Sequence, residues 1–573
     1  DDLLISVDGR FSMPALAEFL SLPSDQVLLG KTDVLANVRV PLEDISIPIQ
    51  LNITSQLKGA EVNLPEPFGK SASSEKHISA KVVFAKNMDL QLALGEDIKS
   101  HLELRDGSVL RGLLSVDSGH SDLPEKGQLL AVGHLKSFSL SQWQQAYPKI
   151  LNFNDTASSV SDSGSASLNL TPIFDVTIDR LDVAGLEFED ASVNGGYQNN
   201  EWMIGVESER GEGHVLISSD ESAPMMIDLE RLFLPTPTEA GGDAEELDPS
   251  SLPHMQLAIR NFGVGDKRFG EANLLMEPKS NGVKISGINA NLLGLQLGDS
   301  EHETSLEWTV ENKRHHTQFD GLLQADDIGE VMKAWQLPAI LDSKKAHFFA
   351  GLNWEGRPWD ISHTTMSGAM SLHLEKGRFY KSPTGAANAL IRLVGLFNFG
   401  NWVRRLQLDF SDLFEKGMSY DEMRGGLVFD RGTLTFDAPM VVKLPSGRIK
   451  MEGEANLVSE EIDAELVTTL PVGTNLPWVA AAVGGLPAAA GVYLTSKVFK
   501  KQVDKLSSIS YSIEGSWNEP EIQVQKIFSD STSGSKKSKT EPNTSEKASV
   551  LESVAKSVSE PELEPVSESE SNQ

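Results

Sequence analysis

Hydrophobic residues recur at every second position over most of the chain. Met88, Leu90, Leu92 and Leu94 alternate with Asp89, Gln91 and Ala93. Leu102 and Leu104 repeat the pattern ahead of Asp106-Gly107. Val176 and Ile178, then Leu181 and Val183, flank Thr177, Asp179 and Asp182. Met370, Leu372 and Leu374 alternate with Ser371 and His373 before Lys376-Gly377, read as a turn. Leu427 and Phe429 precede Arg431-Gly432, and Leu434 and Phe436 follow it, which is a hairpin signal. Period two puts alternate side chains on opposite faces of a strand. The repeat of strand, Gly turn and strand from about residue 40 to 470 predicts a mainly β protein with antiparallel sheets.

Helical signals are few. Ser141–Tyr147 reads as one short helix, and Ser382-Pro383 as an N-cap and first-turn proline. After it, Leu390, Leu393, Val394 and Phe397 fall at helical spacing. An internal echo aligns Gly133–Tyr147 with Gly321–Trp335 without a gap, each a strand running into a short helix that ends on an aromatic residue. Two such copies suggest duplicated modules.

One stretch breaks the strand pattern. Asn475–Phe499 carries no charge before Lys497, and the uncharged run reaches back to Leu466. Its length suits a bilayer span, which needs roughly 20 apolar residues. Pro477, Pro487 and Gly484-Gly485 interrupt it, and its alanines add little drive for insertion. Two short helices are expected there. Trp478, Val479, Val483, Leu486, Val492, Tyr493 and Leu494 are their membrane-contact candidates. A helix pair that merely plugs the end of the sheet is the alternative.

Five segments follow. Residues 1–233 form a first antiparallel module, 234–253 an acidic Pro/Gly-rich linker and 254–376 a second β module. Residues 377–528 form a C-terminal module that holds the helices, and 529–573 a disordered Ser/Glu-rich acidic tail.

Composition narrows the chemistry. The net charge of −32 argues against nucleic acid, whose phosphates require a basic face. The absence of cysteine removes thiolate zinc sites, thiol catalysis and disulfides. The chain opens on DDLLISVDG with no initiator Met or signal peptide, and is expected to be a fragment lacking its N-terminal part. No G-x-S-x-G, H-E-x-x-H or P-loop motif is present. His315-His316 is the one histidine pair; on a strand its members point to opposite faces, which disfavours a shared metal. Asp409, Asp412 and Glu415 sit beside Arg404 and Arg405, reading as charge balance or a membrane-facing rim rather than acid–base catalysis. Trp308, Trp335, Trp354 and Trp359 read as packing residues. No catalytic residue, cofactor or metal is assigned, and the chain is not expected to be an enzyme.

A one-sided sheet must cover its apolar face. A second sheet gives a sandwich. The other solution is a long curved sheet whose apolar face holds a ligand. The long run of strands and the scarcity of helices shift the balance toward such a groove. Leu, Val, Phe and Met linings suit acyl chains, since each buried CH₂ is worth roughly 0.8 kcal/mol. Leu372, Leu374, Leu427, Phe429, Leu434 and Phe436 are the lipid-groove candidates. The pattern alone does not say which alternate face lines the groove.

An ordered series of motifs carries a resemblance. It includes LKGAEVNLPEPFGKSA (57–72), LDVAGLEFEDASVNGGYQNNEWMIGVES (181–208), LNWEGRPWD (352–360), R-R-L-x-L-D-F and SYSIEGSWNEPEI (510–522). Together they resemble the C-terminal region of the AsmA-like envelope proteins of the YhdP type, up to about Lys526. The resemblance implies a bridge-like lipid-transfer protein with a long twisted β-sheet and an apolar interior. It also implies a periplasmic location, an inner-membrane anchor N-terminal to this chain and phospholipid as cargo. The implied role is non-enzymatic phospholipid transport between membranes in support of the outer-membrane permeability barrier. The implied partners are acyl chains, a membrane surface and envelope proteins. An envelope scaffold that binds outer-membrane assembly factors through strand edges is the alternative.

Overall fold

The computed structural model describes residues 2–15, 27–42, 47–106, 108–146, 170–183, 185–220, 222–236, 248–337, 339–380, 418–445, 447–469, 508–516 and 520–528. The expected helix after Ser382-Pro383, the Arg404–Glu415 charge cluster, the Trp478–Leu494 candidates and the acidic tail lie outside them. The chain divides into two compact units. The first holds Asp1–Leu247 with Pro253–Phe269, and the second Asp248–Leu252 with Gly270–Gln573. Each is mainly strand.

In the first unit, Asp2–Ser12, Leu28–Pro41, Ile49–Ser55, Ile78–Phe84, Met88–Leu94, Ile98–Arg105 and Ser108–Val116 pair antiparallel in that order. The next two junctions are parallel. Gln128–Leu135 runs parallel to Ser108–Val116, and Thr171–Val183 parallel to Gln128–Leu135. Leu186–Gln198, Glu201–Glu207, Gly211–Ser218 and Met225–Leu234 resume the antiparallel order, and Met255–Val264 joins parallel. The expectation of purely antiparallel sheets is therefore corrected: the topology is mixed. The reason lies in the connections. Gly turns reverse a strand within two residues, whereas segments 117–127, 136–170 and 235–254 are long enough to return the chain to the end where it started.

In the second unit the strands Gly282–Leu292, Ser305–Glu311, Arg314–Ala325, Leu341–Glu355, Ser367–Phe379, Met418–Asp430, Thr433–Leu444, Gly447–Asn456, Glu461–Thr469, Ser508–Ser516 and Glu521–Phe528 pair antiparallel throughout. The Arg431-Gly432 hairpin is present: Asp430 pairs with Thr433, and φ is 43° at Arg431 and 96° at Gly432. Two successive positive φ angles make a type I′ turn, whose twist matches that of the strands it joins. Asn199-Asn200 and Asn312-Lys313 make the same turn. Lys376-Gly377 does not turn. Lys376 has φ 51°, yet the strand runs on to Phe379. Gly377 is needed there for space, because a Cβ would lie 2.4 Å from the Tyr420 hydroxyl and 2.0 Å from the Asp342 carbonyl oxygen.

Both copies of the echo are strand followed by helix. The first gives Gln128–Leu135 and a helix over 140–146; the second gives Arg314–Ala325 and the helix Ile328–Ala334. The second helix starts where the Asp327 carboxylate accepts bonds from the Gly329 and Glu330 amides. It buries Ile328, Val331 and Met332 in the large core of its unit. That core draws on every strand from Leu341–Glu355 to Glu521–Phe528. Among the described residues the first unit has small clusters, one around Met13, Leu57 and Ala60 and one around Ile178, Leu181 and Ala191.

Candidate functional site

Strand register converts the period-two pattern into rows that cross each sheet. In the first unit one row passes from Val7 through Ala36, Ile53, Ala80, Leu92, Ser100, Leu114, Ala131, Phe174, Gly195, Ile204, Val215 and Ile227 to Leu257. Ser100 is its single polar member. The parallel junctions preserve the face, since Leu114 still meets Ala131 and Ala131 meets Phe174. At about 4.8 Å per strand, the thirteen steps extend about 60 Å along the sheet. None of these side chains is buried: Val7 is exposed and the rest are half-buried. On the same face Leu3, opposite Val40, and Ile5, opposite Val38, are each 45% exposed.

A row of the second unit runs Met276, Ile285, Leu306, Phe319, Leu352, Gly368, Phe429, Leu434, Ala455 and Ile462. Its first four members are half-buried, whereas Leu352, Phe429, Leu434, Ala455 and Ile462 are buried. The apolar face thus closes toward the C-terminal strands. All six groove candidates fall on this face and in one cluster: Leu372, Leu374, Leu427, Phe429, Leu434 and Phe436 are between 0% and 7% exposed. Met370 pairs with Leu427 and Leu427 with Phe436, so the candidates from neighbouring strands do meet.

The opposite faces are charged. In the first unit His101 meets Asp89 at 2.6 Å and Arg111 meets Glu103 at 2.6 Å. Hydrogen bonds from Arg111 and Asn87 hold the Glu103 carboxyl below the usual range. In the second, Glu422 accepts Arg424 and Lys443 and lies 3.3 Å from His373. Burial alone would raise the Glu422 pKa, but Lys443 and Arg424 outweigh it and hold it low.

Among the described residues no group of three or more His, Asp or Glu side chains is placed to hold a metal. His315 accepts a bond from the Trp308 indole at 3.1 Å, while His316 is exposed on the other face. Trp308 and Trp354 are buried, and Trp335 donates to the Leu292 carbonyl at 3.1 Å. Trp359 differs: it is 55% exposed, with Arg357 5.4 Å above its ring.

The half-open row of the first unit was not singled out from the sequence. Its signal was present in Leu90, Leu92 and Leu94, but alternation cannot tell a covered face from an open one.

Among the described residues, each unit of this mainly β protein, with few helices, sets an apolar face against a charged one, which defines the class of elongated β-sheet proteins with an apolar face. The chain belongs to the YhdP protein family, whose model matches residues 1–522. The intermembrane phospholipid transporter YhdP of Escherichia coli (strain K12) is similar to it: 22% identical over 489 residues, covering 82% of this chain and 37% of that protein. The chain thus spans well under half the length of the curated relative it matches. No solved structure matches. Among the described residues no helix is long and apolar enough to cross a membrane.

Proposed function

We propose that this chain is a non-enzymatic carrier of phospholipid, holding acyl chains on its apolar faces while headgroups stay in water. The half-open apolar row of the first unit supports this reading most directly. A face meant only for packing would be covered, because about 25 cal/mol is gained per Å² of apolar surface removed from water. This one leaves Val7, Ile53, Leu92, Phe174 and Ile204 partly in contact with solvent across fourteen strands. A chain sliding along it exchanges one apolar neighbour for another, so the movement follows a lipid gradient or work done by a partner. The relative's name, intermembrane phospholipid transporter, points to the same cargo. On this reading the chain lies in the periplasm as part of a longer protein anchored in the inner membrane. It carries lipid between the two membranes and so supports the outer-membrane barrier. On this reading Leu372, Leu374, Leu427, Phe429, Leu434 and Phe436 belong to the second unit's own apolar face, and Trp478, Val479, Val483, Leu486, Val492, Tyr493 and Leu494 meet the membrane.

The test is lipid occupancy. Gently purified chain should carry phospholipid, measured by mass spectrometry. The combined variant Ile53→Asp, Leu92→Asp, Phe174→Asp and Ile204→Asp should lose it while keeping its β circular dichroism. Folded variant with undiminished lipid would sink the reading, and wild-type protein free of lipid would favour a scaffold.

A further inference from the structure

The apolar face of the first unit continues past the row that ends on Leu257. In Gly211–Ser218, Val215, Gly213 and Gly211 share one side, and they meet Ile227, Leu229 and Leu232. The register shift at Glu212/Gly213 puts an extra residue into the partner strand, so Leu229 and Leu232 lie on that same side. Leu229 then pairs with Ile259, and Leu232 with Phe262. The Phe262 ring lies 5.9 Å from that of Phe269, which carries the face across the turn Gly265-Asp266. Lys267 and Phe269 are two residues apart on one strand, so Lys267 stands on this apolar face.

Lys267 does not match its surroundings. Its ammonium nitrogen is buried and has no hydrogen-bond partner. Burial pushes its pKa down, and no carboxylate among the described residues pulls it back up. Asp266, its neighbour in the chain, is exposed in the turn. The Phe269 ring, 5.6 Å away, offsets part of the lost hydration. A ring supplies no lone pair, however, and the ammonium has three N–H donors. Buried charges are ordinarily paired, so this cation lacks an anion.

Position says which anion fits. Lys267 opens its strand directly after the exposed turn, at the rim where the apolar face meets water. From that rim Val264, Phe262 and Ile259 lead inward to Leu257. The stretch from Val264 to Leu257 spans about 23 Å, at about 3.3 Å per residue. The chains of one lipid fill half of a hydrocarbon core of about 30 Å, or about 15 Å. An amphiphile whose anionic group meets Lys267 therefore keeps its chains on apolar side chains. Lysine suits phosphate, which it meets as a point charge on a flexible stem.

We propose that Lys267 forms a phosphate subsite of the first unit, its ammonium taking the phosphodiester of a phospholipid whose acyl chains lie over Phe269, Phe262, Ile259 and Leu257. The proposal rests on the lipid-carrier reading and adds to it a fixed place for the headgroup. Free phosphate offers the same anion without the chains, so the test separates the two.

The full chain, stripped of lipid, is titrated by calorimetry with three probes: dihexanoylphosphatidylglycerol below its micelle concentration, dihexanoylglycerol, which lacks the phosphate, and inorganic phosphate. Wild-type protein should bind the phospholipid most tightly. Lys267→Met, close in length but uncharged, should lower phospholipid affinity about tenfold or more and leave dihexanoylglycerol affinity unchanged. Lys267→Arg, which keeps the charge, should retain most of the phospholipid affinity. If the wild type binds both lipids and Lys267→Met binds the phospholipid equally well, the subsite is overturned and the carrier reading stands. An equal loss for dihexanoylglycerol would also overturn it, by showing that Lys267 only shapes the face. Inorganic phosphate bound as tightly as the phospholipid would make this a free-anion site and overturn the lipid assignment. If neither lipid binds the wild type, the carrier reading fails and the subsite with it. Should Lys267→Met misfold by circular dichroism, Lys267→Gln carries the same comparison.

Discussion

Truncating one leucine in each unit tests whether the apolar face is covered in one and open in the other. Leu427 is 1% exposed, packed between Met370 and Phe436 in the large core. Leu427→Ala removes its transfer free energy and leaves a cavity, for a cost of about 3 kcal/mol within the usual 2–5 range. Leu92 occupies an equivalent alternate position between Ala80 and Ser100, but is half-buried. Solvent or lipid fills the space it vacates, so Leu92→Ala should cost about 1 kcal/mol. Hydrogen exchange read peptide by peptide, with denaturant melts, separates the units: Leu427→Ala should speed exchange in strands 418–430 and 433–444, and Leu92→Ala should barely change 88–94. Equal costs at the two positions would refute the distinction. A Leu92→Ala penalty near 3 kcal/mol would mean that the first unit has a closed core and no open lining.

Other outcomes follow from single side chains. Gly377→Ala should destabilise the second unit by about 2–4 kcal/mol in chemical denaturation, because its Cβ collides with the Tyr420 hydroxyl and the Asp342 carbonyl. Tyr420→Phe, which loses the 2.7 Å bond to that carbonyl, should cost about 1 kcal/mol. Arg431→Asn should raise the melting temperature slightly, by about 0.5 kcal/mol of stability, since asparagine accepts the φ of 43° more readily. For acid stability, Glu103 and Glu422 both have folded pKa values below the ordinary carboxylate value. Their contribution is complete above the unfolded pKa of about 4.3 and is lost as pH falls through the folded values. Melting temperature should therefore drop below about pH 4, and Glu103→Gln should flatten that drop.

Much of the fold was legible in the chain because alternation is local. Met88 to Leu94, Leu427 to Phe436 and the Arg431-Gly432 turn each declare a strand or a reversal within a few residues, and each is there. The paired strand-to-helix segments around residues 133 and 321 were legible for the same reason. Lys376-Gly377 misled because a Gly beside a positive-φ residue has two uses; here it makes room for Tyr420 rather than reversing the strand. The parallel junctions were hidden because pairing direction depends on where a long connection returns, and residues 117–127 and 136–170 carry no local mark of that. The six groove candidates share one face, as their alternation implies, but their depth was not readable, since burial depends on distant residues. The place of Lys267 was equally invisible: it joins the face of Leu232 and Phe262 only through register and ring contact. The sequence by itself determined which side chains share a face, because that follows from the two-residue repeat of a single strand. Only the tertiary structure decided which rows those faces align into and which of them stay open, because both depend on hydrogen-bond partners tens to hundreds of residues away.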